Sequence, residues 1–276
     1  MPKVSVIITT HNRCDRLPRA IESVRKQTFA DRELIVVDDA SVDGTPGVLR
    51  EYEATGRLRR IRIEECRGAN HARNVGLRAA NGTYVAFLDD DDCWFPEKLA
   101  RQVEVLEARS DVALVGCWFS RRGQVQKFPT VIPCRALLSE NLIGGFSMCM
   151  FRRADVVAVG GMDEALRNAQ DWDLWLRLAE RGRVMCVPEC LADYYLGASD
   201  QITNQANRLM HYQNYLTVIK RHEHKMSFWT REKHRRVVTY HTTPRSRRLS
   251  KGYAGACYWV VRALDRLIVR WALRCA

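Results

Sequence analysis

The 276-residue sequence lacks the features that mark membrane-spanning and secreted chains. It has no stretch of about 18 uncharged apolar residues, which is the length that a transmembrane helix needs. Its N-terminus, Met1-Pro2-Lys3, leads at once into a strand-like segment, without the charged, apolar and small-residue regions of a signal peptide. We therefore expect a cytoplasmic protein, either free or attached peripherally to the cytoplasmic face of the inner membrane.

Paired cysteine motifs are also missing, although the chain contains ten cysteines. No C-x-x-C pair has a companion pair, and several cysteines lie inside apolar segments, which is typical of free, buried thiols in a reducing compartment. A zinc site built from Cys186, Cys190 and a distant histidine lacks the usual ligand spacing.

The positive charge is confined to one end of the chain. Residues 208–276 contain 16 Lys/Arg and 3 Asp/Glu, a balance of +13, and the remaining 28 Lys/Arg and 29 Asp/Glu give residues 1–207 a balance of −1. A basic region attached to a near-neutral body predicts contact with an anionic surface, either a membrane or a nucleic acid.

Strand-like and helix-like segments alternate along the first 108 residues. Strand-like segments occupy residues 4–8, 33–37, 58–63 and 84–88. Apolar residues at helical spacing follow each of them, within 17–24, 48–52, 70–80 and 96–108. This alternation predicts an α/β fold with a mostly parallel sheet covered by helices. We also expect a strand at 148–151 and a helix at 170–178, whereas residues 119–147 give no clear pattern.

Three of these strands end in polar clusters, at 9–13, 38–39 and 89–92. Open α/β sheets bind ligands at the carboxyl ends of their strands, so we expect the clusters to share one edge of the sheet. Residues 89–92 are four consecutive aspartates, which repel each other unless a cation compensates them. The run is either a solvated turn before a helix that Pro96 begins, or a divalent-metal site that binds a phosphate-bearing ligand.

Four motifs follow one another along the chain: VSVIITTHNR at 4–13, ELIVVDDASVDGT at 33–45, GANHARNVGLRAANGTYVAFLDDDDCWFPEKL at 68–99 and GGMDEALRNAQDWDLWLRL at 160–178. In this order and spacing they resemble the motifs of the family 2 glycosyltransferases. The resemblance implies the GT-A fold of nucleotide-diphospho-sugar transferases. It also implies a nucleotide-sugar donor, most often a UDP-sugar, and a hydroxyl of a glycan or lipid-linked acceptor.

The resemblance assigns a role to each matching residue. The nucleotide and its diphosphate would be bound by Thr9, Asn12, Arg13, Asp39, Arg73, Asn74, Asp89 and Asp90. Asp89 and Asp91 match the D-x-D motif for Mg²⁺ or Mn²⁺, and Asp90 replaces a common serine, which leaves open which two carboxylates face the metal. Asp92 is expected to have a structural role.

Asp171 matches the general base that deprotonates the acceptor hydroxyl, and Gln170 stands where an acidic residue is more frequent. One base suffices for a single displacement with inversion, whereas retention would also require a nucleophile. Taken alone, a carboxylate at the start of a helix is also explained as a helix cap. With the four motifs in place we expect an inverting enzyme.

The chain divides into an expected glycosyltransferase domain at 1–200 and a basic helical region at 201–276. Within the latter, residues 253–276 read as a helix with an arginine at every fourth position from Arg262 to Arg274. This helix either lies on an anionic membrane surface or packs on the domain.

Two other functions compete with glycosyl transfer. One is a catalytically inactive scaffold that binds sugar nucleotides, against which the intact aspartates argue. The other is a nucleic-acid-binding protein that uses the basic region, and we expect no nucleic-acid partner because the other 207 residues carry no such motif.

Overall fold

The computed structural model describes residues 1–195 and 208–242, and within the second range the side chains of 212–238. The boundary expected at residue 200 and the helix expected at 253–276 lie outside the described residues. None of the helices within these two ranges is long and apolar enough to cross a membrane.

A ten-stranded sheet forms the centre of the fold. Its strands are β1 (Val4–Thr10), β2 (Arg32–Asp39), β3 (Arg59–Ile63), β4 (Tyr84–Asp89), β5 (Cys93–Trp94), β6 (Val112–Arg121), β7 (Gln124–Gln126), β8 (Val131–Ile132), β9 (Met150–Arg152) and β10 (Arg183–Tyr194). The main order is β3-β2-β1-β4-β9-β6-β10-β5. The mostly parallel sheet is confirmed for the long strands, because the first four run parallel and β6 runs parallel to β10, while the short strands pair antiparallel.

Nine helices belong to the described ranges. They are α1 (Leu17–Arg25), α2 (Thr45–Ala54), α3 (Ala69–Ala79), α4 (Lys98–Ala108), α5 (Cys134–Leu137), α6 (Arg153–Ala158), α7 (Gln170–Leu178), α8 (Arg208–His222) and α9 (Phe228–Thr242). The predicted start of α4 at Pro96 is wrong, because the Pro96 carbonyl accepts the Thr28 N–H and the helix begins only at Lys98. The strand expected at 148–151 begins at Met150, since Phe146–Met148 form a 3-10 turn.

Helix α3 lies unusually close to the sheet. A Cβ atom at Gly76 would come within 2.4 Å of Ile7 Cγ2, so only glycine fits this contact. Ala72 and Leu77 are buried beside it, and Val75 is only partly buried. The close approach aligns the start of α3 with the carboxyl end of β1.

An aromatic cluster joins β4 to α7. The Trp175 ring lies 5.3 Å from the rings of both Phe146 and Phe151, and Phe87 contacts the same two rings at 5.6 and 6.0 Å. All four side chains are buried. Because Phe87 precedes Asp89 by two residues and Trp175 lies one turn after Asp171, this cluster sets the distance between the two carboxylates.

The helices α8 and α9 pack against α7 through Trp172 and Asp173. Tyr215 stacks on Trp172 with ring centroids 5.2 Å apart, and the buried His234 bonds the Tyr215 hydroxyl and the Leu138 carbonyl. Arg221 pairs with Asp173, which is fully buried in α7. The C-terminal helices therefore hold the residues that directly follow Asp171.

Candidate active site

The carboxyl ends of β1, β2 and β4 meet at one edge of the sheet, as the sequence predicts. In the parallel register Thr9 pairs with Val37 on one side and with Asp89 on the other. Thr9 and the next residue, Thr10, are both buried. The edge thus brings the three polar clusters into one site.

Asp39 closes one end of this site. Its carboxylate accepts the backbone N–H groups of Arg67 at 3.0 Å and Gly68 at 2.7 Å, and the exposed Cys66 thiol lies 3.5 Å away. A carboxylate has about four acceptor positions, so Asp39 keeps capacity for a further donor.

Asn12 joins the loops that follow β1 and β2. Its side-chain oxygen accepts the N–H groups of Val42 at 2.8 Å and Asp43 at 3.3 Å, and its own N–H donates to Ser41. Asn12 has a positive φ of 54°, a conformation that asparagine tolerates better than most residues. Within the expected nucleotide pocket it shapes the loops around Asp39.

Two arginines pair with the carboxylates of the acidic run. Arg73 donates to Asp89 Oδ1 at 2.6 Å and lies 4.1 Å above the Phe146 ring. Arg13 Nη1 lies 3.4 Å from Asp91 Oδ2 and 3.6 Å from Asp90 Oδ1. The solvated turn considered from sequence does not describe this run, because Asp90 is buried and Asp91 is largely enclosed.

The arginines do not fully compensate the carboxylates. Burial raises the pKa of Asp90 to about 7, and the neighbouring Asp91 and Asp89 add to this effect while Thr10 and Arg13 oppose it. Burial, followed by the charge of Asp89, also raises the pKa of Asp91. The site therefore carries negative charge that a further cation would stabilise.

This donor set fits a divalent metal ion that is bound together with a diphosphate. No group of three or more His, Cys, Asp or Glu side chains in residues 1–195 and 212–238 is arranged to hold a metal alone. Mg²⁺ commonly uses only one or two carboxylates and completes its shell with substrate phosphates and water. Asp89 and Asp91 provide the hard oxygen ligands that such an ion prefers.

Two neighbouring residues contribute to the shape of the site. Asp92 is buried and accepts the Tyr195 N–H at 2.9 Å, which fastens the end of β10 beneath the acidic run. Asn74, which the sequence predicts beside the nucleotide, donates its two amide hydrogens to Met162 O and Glu164 Oε1. Its amide is committed to the turn before α7, because this turn packs on α3.

Asp171 lies in the first turn of α7, partly buried. Its carboxylate accepts the Trp172 N–H at 2.8 Å and the Asn141 amide at 3.1 Å. Burial raises the pKa of Asp171 to about 6, Arg73 lowers it and Asp89 raises it. Asp171 is thus near enough to the Arg73–Asp89 pair to feel both charges, and it stays mostly ionised at pH 7.

Two residues at the site were missed from the sequence. Asn141 lies in the segment 119–147, which gives no clear pattern. Only its hydrogen bond to Asp171, which is remote in sequence, identifies it as part of the site. Tyr194 ends β10, and burial together with the charges of Asp92, Asp89 and Asp91 raises its phenol pKa to about 12.

Gln170 has a buried side-chain oxygen without a hydrogen-bond partner.

Comparison with known sequences finds a family and several relatives. The family model described as "Glycosyl transferase family 2" matches residues 5–169. The chain is 28% identical over 224 residues to the E. coli UDP-Glc:alpha-D-GlcNAc-diphosphoundecaprenol beta-1,3-glucosyltransferase WfaP, covering 79% of this chain and 87% of WfaP. It is 30% identical over 188 residues to E. coli WfgD, which carries the same enzyme name, covering 67% of this chain and 72% of WfgD. It is 32% identical over 185 residues to an uncharacterized glycosyltransferase of Haemophilus influenzae. This match covers 64% of this chain and 62% of the length of that relative.

Solved structures share the fold at lower sequence identity. A structure of S. aureus TarS in complex with UDP superposes with a TM-score of 0.68 and 18% identity, covering 91% of this chain and 75% of that one. The mannosyltransferase PcManGT of Pyrobaculum calidifontis, in complex with GDP-Man and Mn²⁺, gives a TM-score of 0.64 and 22% identity. The superposition covers 99% of this chain and 86% of the PcManGT chain. At these identities the likeness concerns the fold.

Proposed function

The chain belongs to glycosyl transferase family 2 and has its GT-A fold, and we propose that it inverts the anomeric centre of a UDP-sugar as it transfers the sugar to a hydroxyl. The observation that carries this proposal is the position of Asp171 within the electrostatic field of the Arg73–Asp89 pair. A base beside a diphosphate site suits one displacement reaction.

For the nucleotide we propose uridine diphosphate. Asp39 retains acceptor capacity at the end of the pocket, which suits an N–H donor on the base. The names of WfaP and WfgD specify UDP-glucose, and TarS was solved with UDP. We expect Thr9 and Arg13 to lie along the nucleotide and its phosphates.

We propose that Asp89 and Asp91 hold Mg²⁺ or Mn²⁺ together with the donor diphosphate. When bound, such an ion neutralises the charge of the leaving diphosphate as a Lewis acid. The Mn²⁺ in the PcManGT complex supports a divalent ion. Arg13 and Arg73, which pair with the same run of aspartates, add fixed positive charge there.

In the proposed reaction the ionised Asp171 carboxylate removes the proton of the acceptor hydroxyl. The acceptor oxygen then forms a bond with the anomeric carbon, while the bond from that carbon to the diphosphate oxygen breaks and the nucleoside diphosphate leaves. Its raised pKa makes Asp171 a stronger base than an ordinary aspartate, yet it remains deprotonated at neutral pH. A single base supports inversion.

We further propose that the acceptor is a cell-envelope glycan or a lipid-linked saccharide at an anionic membrane. The names of WfaP and WfgD specify a diphosphoundecaprenol-linked acceptor. Phe228 and Trp229, at the start of α9, are 64% and 58% exposed. Residues 220–236 contain seven Lys/Arg and two Glu, a balance of +5, so aromatic anchors and positive charge occur together.

Donor specificity and metal dependence test the reaction. Nucleotide release from a set of UDP- and GDP-sugars would be followed with Mg²⁺, with Mn²⁺ and with chelator. We expect release from a UDP-sugar only with a divalent ion. An inactive scaffold or a nucleic-acid-binding protein would release nucleotide from none of the donors.

Vesicle sedimentation tests the membrane contact. We expect the full chain to sediment with vesicles that contain phosphatidylglycerol and not with phosphatidylcholine alone. The double variant Phe228→Ser and Trp229→Ser should bind several-fold more weakly, whereas Val157→Ser, at an exposed apolar residue of α6, should not change binding. Equal binding of the double variant and the unmodified chain would exclude this aromatic pair as an anchor.

A further inference from the structure

Asn141 uses its entire side-chain amide in four hydrogen bonds. Its Nδ2 donates to Gly144 O and to Asp171 Oδ2, both at 3.1 Å. Its Oδ1 accepts the N–H groups of Ile143 at 3.1 Å and Gly144 at 3.2 Å. Since an amide has two hydrogens and two lone pairs to share, Asn141 has one permitted orientation.

The loop that carries Asn141 is fixed to the helix that carries Asp171. The Gly144 carbonyl also accepts the Trp175 indole N–H, at 3.2 Å. Gly144 has a positive φ of 85°, and a Cβ atom there would meet the Phe119 ring at 2.8 Å. The loop conformation therefore requires glycine, and the position of Asn141 relative to α7 follows from it.

The two carboxylate oxygens of Asp171 each receive one neutral donor. Oδ1 accepts the Trp172 N–H and Oδ2 accepts the Asn141 amide. The backbone donor fixes one oxygen, and the Asn141 donor fixes the rotation of the carboxylate plane. Each oxygen keeps a further lone pair that can accept a proton. Because the carboxylate plane is fixed, the direction of this lone pair is fixed as well.

We propose that Asn141 is the positioning residue of the base, holding the Asp171 carboxylate in the orientation that accepts the proton of the acceptor hydroxyl. This inference rests on the proposed function. An amide suits the role because it donates a hydrogen bond without carrying a proton that the carboxylate could take. The charged groups that face Asp171 are Arg73 of α3 and Asp89 of β4, and neither reaches it in a hydrogen bond.

The variant Asn141→Asp tests this role, because it keeps an oxygen for the loop N–H groups and replaces the donor to Asp171 by a second carboxylate. We expect kcat at pH 7 to fall at least about tenfold, with the donor KM within about twofold of the original value. The acid limb of the kcat–pH profile should move upward by about one pH unit, since two adjacent carboxylates share a proton.

Asn81→Asp is a matched control. Asn81 also donates to a carboxylate, that of Glu33, but at the opposite edge of the sheet. This variant should keep the original kcat and acid limb. If Asn141→Asp does not fold, Asn141→Ser provides the measurement, because serine can still bond the loop backbone but is too short to reach Asp171.

An unchanged acid limb, with kcat within about twofold, in the folded Asn141 variant would overturn the inference. Failure of the proposed function has a different signature, since the unmodified chain would then transfer no sugar from any nucleotide donor. A KM increase without a change in kcat would also contradict a positioning role.

Discussion

Asp171 and Asp173 lie two residues apart in α7 and should respond oppositely to the same substitution. Asp171 is an ionised group with only neutral hydrogen-bond donors, and burial raises its pKa from 3.8 to about 6. Asp173 is fully buried and pairs with Arg177 at 2.7 Å and with Arg221. We predict that Asp171→Asn stabilises the fold at neutral pH and that Asp173→Asn destabilises it.

The difference of about two pH units corresponds to at most about 3 kcal/mol, at 1.36 kcal/mol per unit. Part of this is offset because the new amide must also be satisfied, so we expect a gain of about 1–3 kcal/mol. Neutralising Asp173 removes the ionic partner of Arg177 and one of the two carboxylates that pair with Arg221, and breaking such a buried pair typically costs about 3–5 kcal/mol.

The pH dependence gives a second test of the same reasoning. The folded pKa of Asp171 lies above its unfolded value, so the native state binds the additional proton between about pH 4 and pH 6. This contribution to stability is fully present below about pH 4 and is lost as the pH rises through about 6. The advantage of the D171N variant should therefore be full at pH 7.5 and absent near pH 4.

Denaturant unfolding of the unmodified chain and both variants, at several pH values, measures these differences. A D171N variant that is no more stable than the unmodified chain at pH 7.5 would refute the claim that Asp171 is a poorly compensated charge. An increase in stability for D173N would refute the assignment of Asp173 as the ionic partner of α8.

Two further predictions concern α3 and the end of the nucleotide pocket. Gly76→Ala should lower the free energy of unfolding by about 1–3 kcal/mol, because its Cβ would overlap Ile7, whereas Gly47→Ala, with no atom closer than 4.0 Å, should stabilise by up to about 1 kcal/mol; denaturant titration compares the two. Bound UDP should slow the alkylation of Cys66 severalfold, because the Cys66 thiol lies 3.5 Å from the Asp39 carboxylate. Peptide-level mass spectrometry measures the alkylation rate, and an equal rate with and without UDP would contradict nucleotide binding beside Asp39.

The long parallel strands could be predicted because β-branched apolar runs such as residues 4–8 and 33–37 report burial on both faces of a sheet. A strand was also predicted at 148–151, but its start at Met150 and the antiparallel place of β9 between β4 and β6 depend on tertiary packing. The start of α4 was misplaced because a proline suits the first helical turn, yet Pro96 is engaged by Thr28.

The candidate site also has a part that could be predicted and a part that could not. The shared position of the polar clusters could be predicted from the strand direction, and the role of Asp171 from a motif. The pairing of Arg13 and Arg73 with the aspartates, and the Asn141 contact, join residues that are 16 to 78 positions apart. Local patterns hold no information on such contacts. For the same reason the amide of Asn74 could not be assigned to the turn before α7 from sequence.

The most direct test of the proposed reaction compares the unmodified chain with the Asp171→Asn variant, measuring UDP binding and sugar transfer from the preferred UDP-sugar with the preferred metal. Loss of a general base typically lowers the rate by about 10²–10⁴. We predict that the variant binds UDP with unchanged affinity and that its kcat falls at least about a hundredfold. A decrease of less than about tenfold would contradict the assignment of Asp171 as the base.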